Sequence, residues 1–160
     1  MKIDMIDLRL SDDRKIFNKL QPIINENNGN LKITDLFNEL YIWTHLFLVK
    51  VDSKIVGFAI VRYLSKDEHN TGFDEYYYIS DIVLLKKQWN KGYGTKLLKE
   101  VVDSIKDLPL VTSVKKDKDI VIKILKKEMM IYSEQDNIYR FIDKEHYELR
   151  GDTISFKFRL

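Results

Sequence analysis

The stretch Lys91-Gly92-Tyr93-Gly94-Thr95-Lys96-Leu97-Leu98 decides the fold. It follows an apolar, β-like run and opens a strongly amphipathic helix. Two glycines at a strand-to-helix junction let backbone N–H groups approach a ligand without interference from a Cβ. Those N–H groups sit at the positive end of the helix dipole, an arrangement suited to anions and to phosphate above all. A bare Gly-x-Gly also serves as a plain tight turn, so its meaning depends on what surrounds it.

Upstream, Ile3 to Leu10 alternates loosely and reads as a strand. Ser11, followed by Asp12 and Asp13, is a helix start with acidic residues suited to the first turn. Ile16, Phe17, Leu20, Ile23 and Ile24 then fall on one helical face, and Pro22 predicts a break or restart within it. Asn27-Asn28-Gly29-Asn30 is a loop. A second helix, with Thr34 able to cap it, carries Ile33, Leu36, Phe37, Leu40 and Tyr41 on one face. Leu46–Val51 and Ile55–Leu64 are β-rich runs joined by Asp52-Ser53-Lys54, an antiparallel hairpin. Gly57 within the second run marks a bulge or a close backbone approach. A loop over Ser65–Asp74 precedes a strand over Tyr76–Leu85 that is too apolar on both faces for a sheet edge.

Downstream, Leu97, Leu98, Val101, Val102, Ile105 and Leu108 define a helix with one buried face, ended by Pro109. Leu110–Val114 is a short strand. Ile120, Val121, Ile124 and Leu125 predict another helix. Tyr139-Arg140-Phe141-Ile142 and Thr153–Phe158 read as two strands closing the sheet. The order is β-α-α-β-β-β-α-β-α-β-β. Its early meander excludes a doubly wound pattern and makes this an α+β domain with a mixed sheet.

The bulk properties narrow the function classes. A chain of 160 residues fits one domain, residues 1–160. With 44% hydrophobic and 32% charged residues, neither disorder nor a membrane span is expected. No apolar run approaches the ~20 residues of a spanning helix. Met1-Lys2-Ile3-Asp4 lacks the apolar core of a signal peptide, so a cytoplasmic protein is expected. The absence of cysteine excludes disulfides, thiolate zinc sites and a cysteine nucleophile. A net charge of +2, from 27 basic and 25 acidic residues, is too balanced for nucleic acid as the main partner. The lysines at 115, 116, 118, 123, 126 and 127 read as a solvated surface. His45, His69 and His146 lack metal-ligand spacing, and no metal site is expected.

The element order, with the glycine turn after the fourth strand, resembles the GNAT superfamily of acyl-CoA-dependent N-acyltransferases over nearly the whole chain. Lys54-Ile55-Val56-Gly57-Phe58-Ala59 is similar to the family's third strand and Ile79-Ser80-Asp81-Ile82-Val83-Leu84 to its fourth. Trp89-Asn90-Lys91-Gly92-Tyr93-Gly94 stands at the acetyl-CoA pyrophosphate loop, whose pattern is Arg/Gln-x-x-Gly-x-Gly/Ala, and Thr95 continues it. Trp89 replaces the first Arg or Gln, with Gln88 one residue too early. The family's C-terminal motif is an asparagine, an apolar helix and Lys-x-Gly-Phe. Lys118–Met130 fits its length, with Lys127 matching the lysine and Leu125 where many members carry a tyrosine acid. A second register places Phe141-Ile142-Asp143-Lys144 on the motif, with Ile142 at that position. The first leaves residues for the final strands; both lose the tyrosine.

The resemblance implies a mixed, mostly antiparallel sheet flanked by helices on both faces, an α/β sandwich. It implies acetyl-CoA as co-substrate and a primary amine of a small molecule or peptide as acceptor. Cofactor contacts would come from the backbone at Ile82, Val83 and Leu84 and from Trp89 through Thr95. Such transfer requires that the amine lose a proton, that the developing oxyanion meet a donor, and that the thiolate leave. Backbone N–H groups at Ile82-Val83-Leu84 are the natural donors and can bind pantetheine amides like an added strand. A thiol of pKa near ~8.5 leaves readily, so a missing acid costs at most about 10²–10⁴-fold. Tyr132 and Tyr139 are candidate substitutes for that acid. Asp81 is the candidate base, and a water relay through Tyr78 and Ser80 is the alternative. A strand carboxylate paired with a lysine explains Asp81 equally well. The acceptor region would draw on Tyr41, Trp43, His45, His69, Phe73 and Tyr76-Tyr77-Tyr78, residues that core packing also explains. Many members pair through edge strands, so the resemblance admits a homodimer. Two other readings stand beside the enzyme: a GNAT-like module that binds acyl-CoA without turnover, and a plain α+β interaction domain.

Overall fold

A computed structural model describes residues 1–7, 15–28 and 43–149. The predicted helix over 33–41, the predicted strand over 153–158, the Ser11-Asp12-Asp13 start and the side chain of Trp43 lie outside the described residues. The elements are β1 (Lys2–Asp7), α1 (Lys15–Asn18), α2 (Gln21–Asn28), β2 (Trp43–Val51), β3 (Lys54–Leu64), β4 (Tyr76–Leu84), α3 (Tyr93–Ser104), β5 (Leu110–Lys115), α4 (Asp119–Glu128), β6 (Met129–Gln135) and β7 (Ile138–Asp143). A 3₁₀ turn over Lys86–Gln88 lies between β4 and α3, and residues 144–149 are helical. The strands hydrogen-bond in the order β1-β2-β3-β4-β5-β7-β6. The β4–β5 pair is parallel; β1–β2, β2–β3, β5–β7 and β6–β7 are antiparallel.

The chain forms two compact units. The first holds Met1–Tyr63 and Ile79–Val101. Its core is Leu20, Ile23 and Ile24 against Leu46, Leu48, Phe58 and Ile60, with Ile6, Ile16, Ile55, Val83 and Leu85 packed on it. Pro22 restarts the helix: α1 ends at Asn18 and α2 begins at Gln21, with proline in the first turn, where its missing N–H costs nothing. The β2–β3 hairpin turns on Asp52 and Ser53, both at positive φ (52° and 67°). At Gly57 the sheet does two things at once. The register slips between Val49 and Lys50, and a Cβ at 57 would stand 2.3 Å from the Leu84 Cδ2 and 2.7 Å from the Val83 carbonyl oxygen. The Leu85 amide donates to the Val56 carbonyl at 2.9 Å, so the end of β4 lies hard against this glycine.

The second unit holds Leu64–Tyr78 and Val102–Leu160. Tyr76, Val111, Ile142 and Leu64 form a core that Phe73, Tyr78 and Tyr132 border. Its parallel ladder pairs Tyr77 with Leu110 and Tyr78 with Val111. Asp143 ties two strand ends together, taking the Leu110 amide at 2.9 Å on one oxygen and the His146 Nδ1 at 2.7 Å on the other. The helix expected from Ile120, Val121, Ile124 and Leu125 is present as α4, but its face is turned. Ile122 and Leu125 are buried, while Ile120 and Val121 are exposed. Tyr139-Arg140-Phe141-Ile142 falls in β7, as expected, and β7 pairs in a hairpin over 129–143 with β6, a strand not expected from the sequence. Asp136, at φ 54°, makes their turn.

Candidate active site

Three pieces of the first unit build the junction: the end of β4, the turn over Leu85–Gly92, and the start of α3. Bonds within the chain shape the turn. Gln88 N–H donates to Leu85 O at 2.8 Å, and Trp89 N–H to Lys86 O at 3.1 Å. The Glu26 carboxylate of α2 accepts the Lys86 amide at 3.1 Å. The Trp89 indole N–H donates back to the Leu84 carbonyl at 3.0 Å, with the side chain about half exposed. Gln88 is buried, and its Oε1 meets the Lys91 Nζ at 3.5 Å. The first position of the turn thus supplies a backbone latch rather than a charge.

Asn90 and Gly92 reverse the chain at φ 61° and 79°. A Cβ at Gly92 would meet nothing within 4 Å, so the space before that backbone is open. The Lys96 amide makes the first helical bond, to the Gly92 carbonyl at 3.1 Å, which leaves the amides of Tyr93, Gly94 and Thr95 ahead of the helix ladder. No acidic residue stands in the first turn of α3. Exposed lysines at 86, 87, 91 and 96 flank it. Positive φ, open space, forward-facing amides and surrounding cations together fit a bound diphosphate. Of the strand residues assigned to the cofactor, Ile82 is exposed, Val83 is half-buried against the core and Leu84 has its carbonyl engaged by Trp89. Lys86 and Lys87 add to the cations that the glycine stretch itself carries, Lys91 and Lys96.

The family model described as "Acetyltransferase (GNAT) family" matches residues 16–127. The chain belongs to the GNAT acetyltransferase family. Solved structures agree on the fold. A GNAT-family acetyltransferase from Bacillus cereus ATCC 10987 superposes with a TM-score of 0.66 at 15% identity, covering 90% of this chain and 98% of that one. The PaiA N-acetyltransferase from Thermoplasma acidophilum, solved with coenzyme A, gives 0.64 at 13% identity, covering 90% and 99%. NAA60 from Arabidopsis thaliana, solved with a bisubstrate analogue, gives 0.63 at 12% identity, covering 88% and 97%. No curated protein sequence matches the chain.

The residues proposed for GNAT chemistry are distributed between the two units. Asp81 is half-buried on β4 in the first unit. Ser80 donates its hydroxyl to the Ile60 carbonyl at 3.4 Å. Tyr78 falls in the second unit, where His69 stacks on it with ring centroids 4.2 Å apart. Asp119–Glu128 is helical and Met129 opens β6, whereas Phe141-Ile142-Asp143 is strand, so the first register sets the motif's apolar segment on a helix and the second sets it on a strand. Leu125 is buried in α4. The two substitute tyrosines have other engagements: Tyr132 donates its hydroxyl to the His69 carbonyl at 2.8 Å, and the Tyr139 ring carries Lys116 Nζ 5.2 Å from its centroid. Of the expected acceptor-region residues, Tyr76 and Tyr77 are buried, Phe73 meets the His146 ring edge-on, and His45 is buried beside the Thr44 hydroxyl at 2.8 Å. Among the described residues no group of His, Asp and Glu could hold a metal ion, and no helix is long and apolar enough to cross a membrane.

Proposed function

We propose that this GNAT acetyltransferase transfers the acetyl group of acetyl-CoA to a primary amine of a small molecule or peptide by direct attack. The open, positive-φ backbone at Gly92 ahead of the α3 amides is the observation that carries this reading. The pyrophosphate is bound by the amides from Asn90 to Thr95, where the helix dipole and the exposed lysines favour negative charge. The backbone of Ile82, Val83 and Leu84 aligns the pantetheine arm as an added strand would and donates to the thioester oxygen as it gains charge. Trp89 shapes the loop and carries no charge to the phosphates.

Asp81 accepts the proton of the attacking amine, directly or through water; a relay through Tyr78 and Ser80 is the alternative route. With Leu125 at the position where many relatives keep a tyrosine, the thiolate leaves without a dedicated acid, at a cost of at most about 10²–10⁴-fold. Residues 1–160 are taken as a single GNAT-like acetyltransferase domain that acts in the cytoplasm. Acetyl-CoA and a panel of aliphatic diamines, aromatic amines, amino acids and short peptides, assayed for release of free CoA thiol, tests the reading. Amine-dependent thiol release supports it; tight acetyl-CoA binding with no release across the panel speaks for a non-turnover module. Asp81→Asn should lower turnover by about 10²–10⁴-fold with acetyl-CoA affinity nearly intact, and the acidic limb of the pH–rate profile should move. Full activity in a stable Asp81→Asn protein eliminates the carboxylate and leaves the Tyr78 relay.

A further inference from the structure

The Ser65–Asp74 loop before β4 has no regular secondary structure, yet hydrogen bonds fix its centre. The Asp67 carboxylate accepts the amide and hydroxyl of Thr71 and the amide of Gly72. The Glu68 amide donates to the Tyr76 hydroxyl at 3.1 Å. The His69 carbonyl accepts from the Tyr132 hydroxyl of β6 at 2.8 Å and from the Arg140 guanidinium of β7 at 3.2 Å. With its backbone gripped, the His69 ring lies flat on Tyr78, planes 11° apart, while its Nδ1 stands 2.6 Å from the Tyr76 hydroxyl. Tyr76 and Tyr78, two apart on β4, share one face of the strand, and His69 spans both.

These contacts fix the hydrogen pattern of the imidazole. Tyr76 is fully buried, and burial pushes its hydroxyl up to about 12, so it keeps its proton at any working pH. Its oxygen already accepts the Glu68 amide, and its one hydrogen needs an acceptor. The His69 Nδ1 is that acceptor. An imidazole that accepts at Nδ1 is neutral and carries its hydrogen on Nε2. A protonated ring would offer two donors and strand the Tyr76 hydrogen. The charged and titratable groups around the ring are Asp67 and Glu68 of its own loop, Arg140 of β7, Tyr132 of β6, and Tyr76 and Tyr78 of β4.

We propose that His69 is a positioning residue for acyl transfer: tethered to Tyr76 and stacked on Tyr78, it holds the Tyr78 phenol in the one orientation that serves proton removal along β4. This rests on the reading of Tyr78 as part of the proton path. Loss of the stack removes a contact that orients the phenol, and misplacement by about 1 Å is enough to cost about 10²-fold in rate.

Two-bond ¹H–¹⁵N correlation spectra at neutral pH test the tether. His69 should show the Nε2–H tautomer in the full chain and lose that preference in Tyr76→Phe; an Nδ1–H ring in the unmodified protein overturns the proposal. Kinetics on the best amine of the panel test the positioning. His69→Ala should lower kcat by about 10²-fold with the KM for acetyl-CoA unchanged, and His69→Phe, which restores a flat ring on Tyr78, should recover most of it. Wild-type kcat in His69→Ala, or no recovery in His69→Phe, overturns it. Tyr78→Phe separates the two ideas. If it turns over normally while the tautomer is in place, Tyr78 has no part in proton removal. If it is slow while His69→Ala is fast, the role of His69 alone is lost.

Discussion

Replacing Gly92 with alanine and with asparagine should give two different proteins. At φ 79° an alanine is held in the left-handed region, which costs roughly 1–2 kcal/mol. Its Cβ would meet no protein atom within 4 Å, so backbone strain is the whole of the folding cost. For a chain of 160 residues that strain lowers the apo melting temperature by roughly 2–8 °C. Asparagine enters this region readily, as Asn70 and Asn90 do here at 52° and 61°, so Gly92→Asn should melt close to the parent. Binding should not follow stability. Either side chain puts a Cβ into the open space where the phosphates would sit. Loss of one charge-assisted hydrogen bond, roughly 1.5–3 kcal/mol, weakens acetyl-CoA by about 10- to 150-fold. Thermal melts of the apo protein and calorimetric titration with acetyl-CoA read the two effects separately. Parent-like affinity in Gly92→Asn would refute the placement of the pyrophosphate; a parent-like melt in Gly92→Ala would refute the strain argument.

Gly57→Ala should destabilise the protein by about 1–3 kcal/mol in denaturant titration, because its Cβ would sit 2.7 Å from the Val83 carbonyl oxygen and no backbone atom there can yield cheaply; an unchanged midpoint contradicts the close approach. Trp89→Ala removes the indole hydrogen bond to Leu84, worth about 1 kcal/mol, and should weaken acetyl-CoA about fivefold with an unaltered salt dependence. A changed salt slope would mean that the loop is read in the wrong register. For Asp67, burial raises the carboxyl, but hydrogen bonds from Thr71 and Gly72 hold it below the usual carboxylate range. A lowered folded pKa stabilises above the unfolded value, and that contribution vanishes as pH falls through the folded one. The parent should therefore lose more stability than Asp67→Asn below about pH 4, and parallel acid-unfolding curves for the two proteins would refute the linkage.

The strands and the glycine junction were legible because single residues announce them. Asp52-Ser53 marks the hairpin, Gly57 the close approach, and Gly92 the positive φ that only small or polar residues tolerate. The rotation of α4 was not legible. Ile120, Val121, Ile122, Ile124 and Leu125 allow two apolar stripes, and packing chose Ile122 with Leu125. Strand β6 was hidden because α4 ends without glycine or proline: Met129 passes directly to an extended backbone at φ −135°, and Ser133-Glu134-Gln135 has no β-like pattern. Asp136-Asn137 was the one signal of that hairpin. Within the site, the role of Trp89 needed coordinates. A tryptophan in place of an arginine or glutamine reads as a lost contact, and its use as a donor to Leu84 five residues back depends on how tightly the turn closes.

That same latch bears on how fast and how firmly a ligand is held. The turn from Leu85 to Gly92 is closed by its own donors and by Glu26. Each residue left loose until binding would subtract about 1–2 kcal/mol of ordering entropy from the affinity. In this chain that entropy is lost when the protein folds. The cradle is preorganised, and association with acetyl-CoA should proceed in a single diffusive step without a slow loop-closing phase.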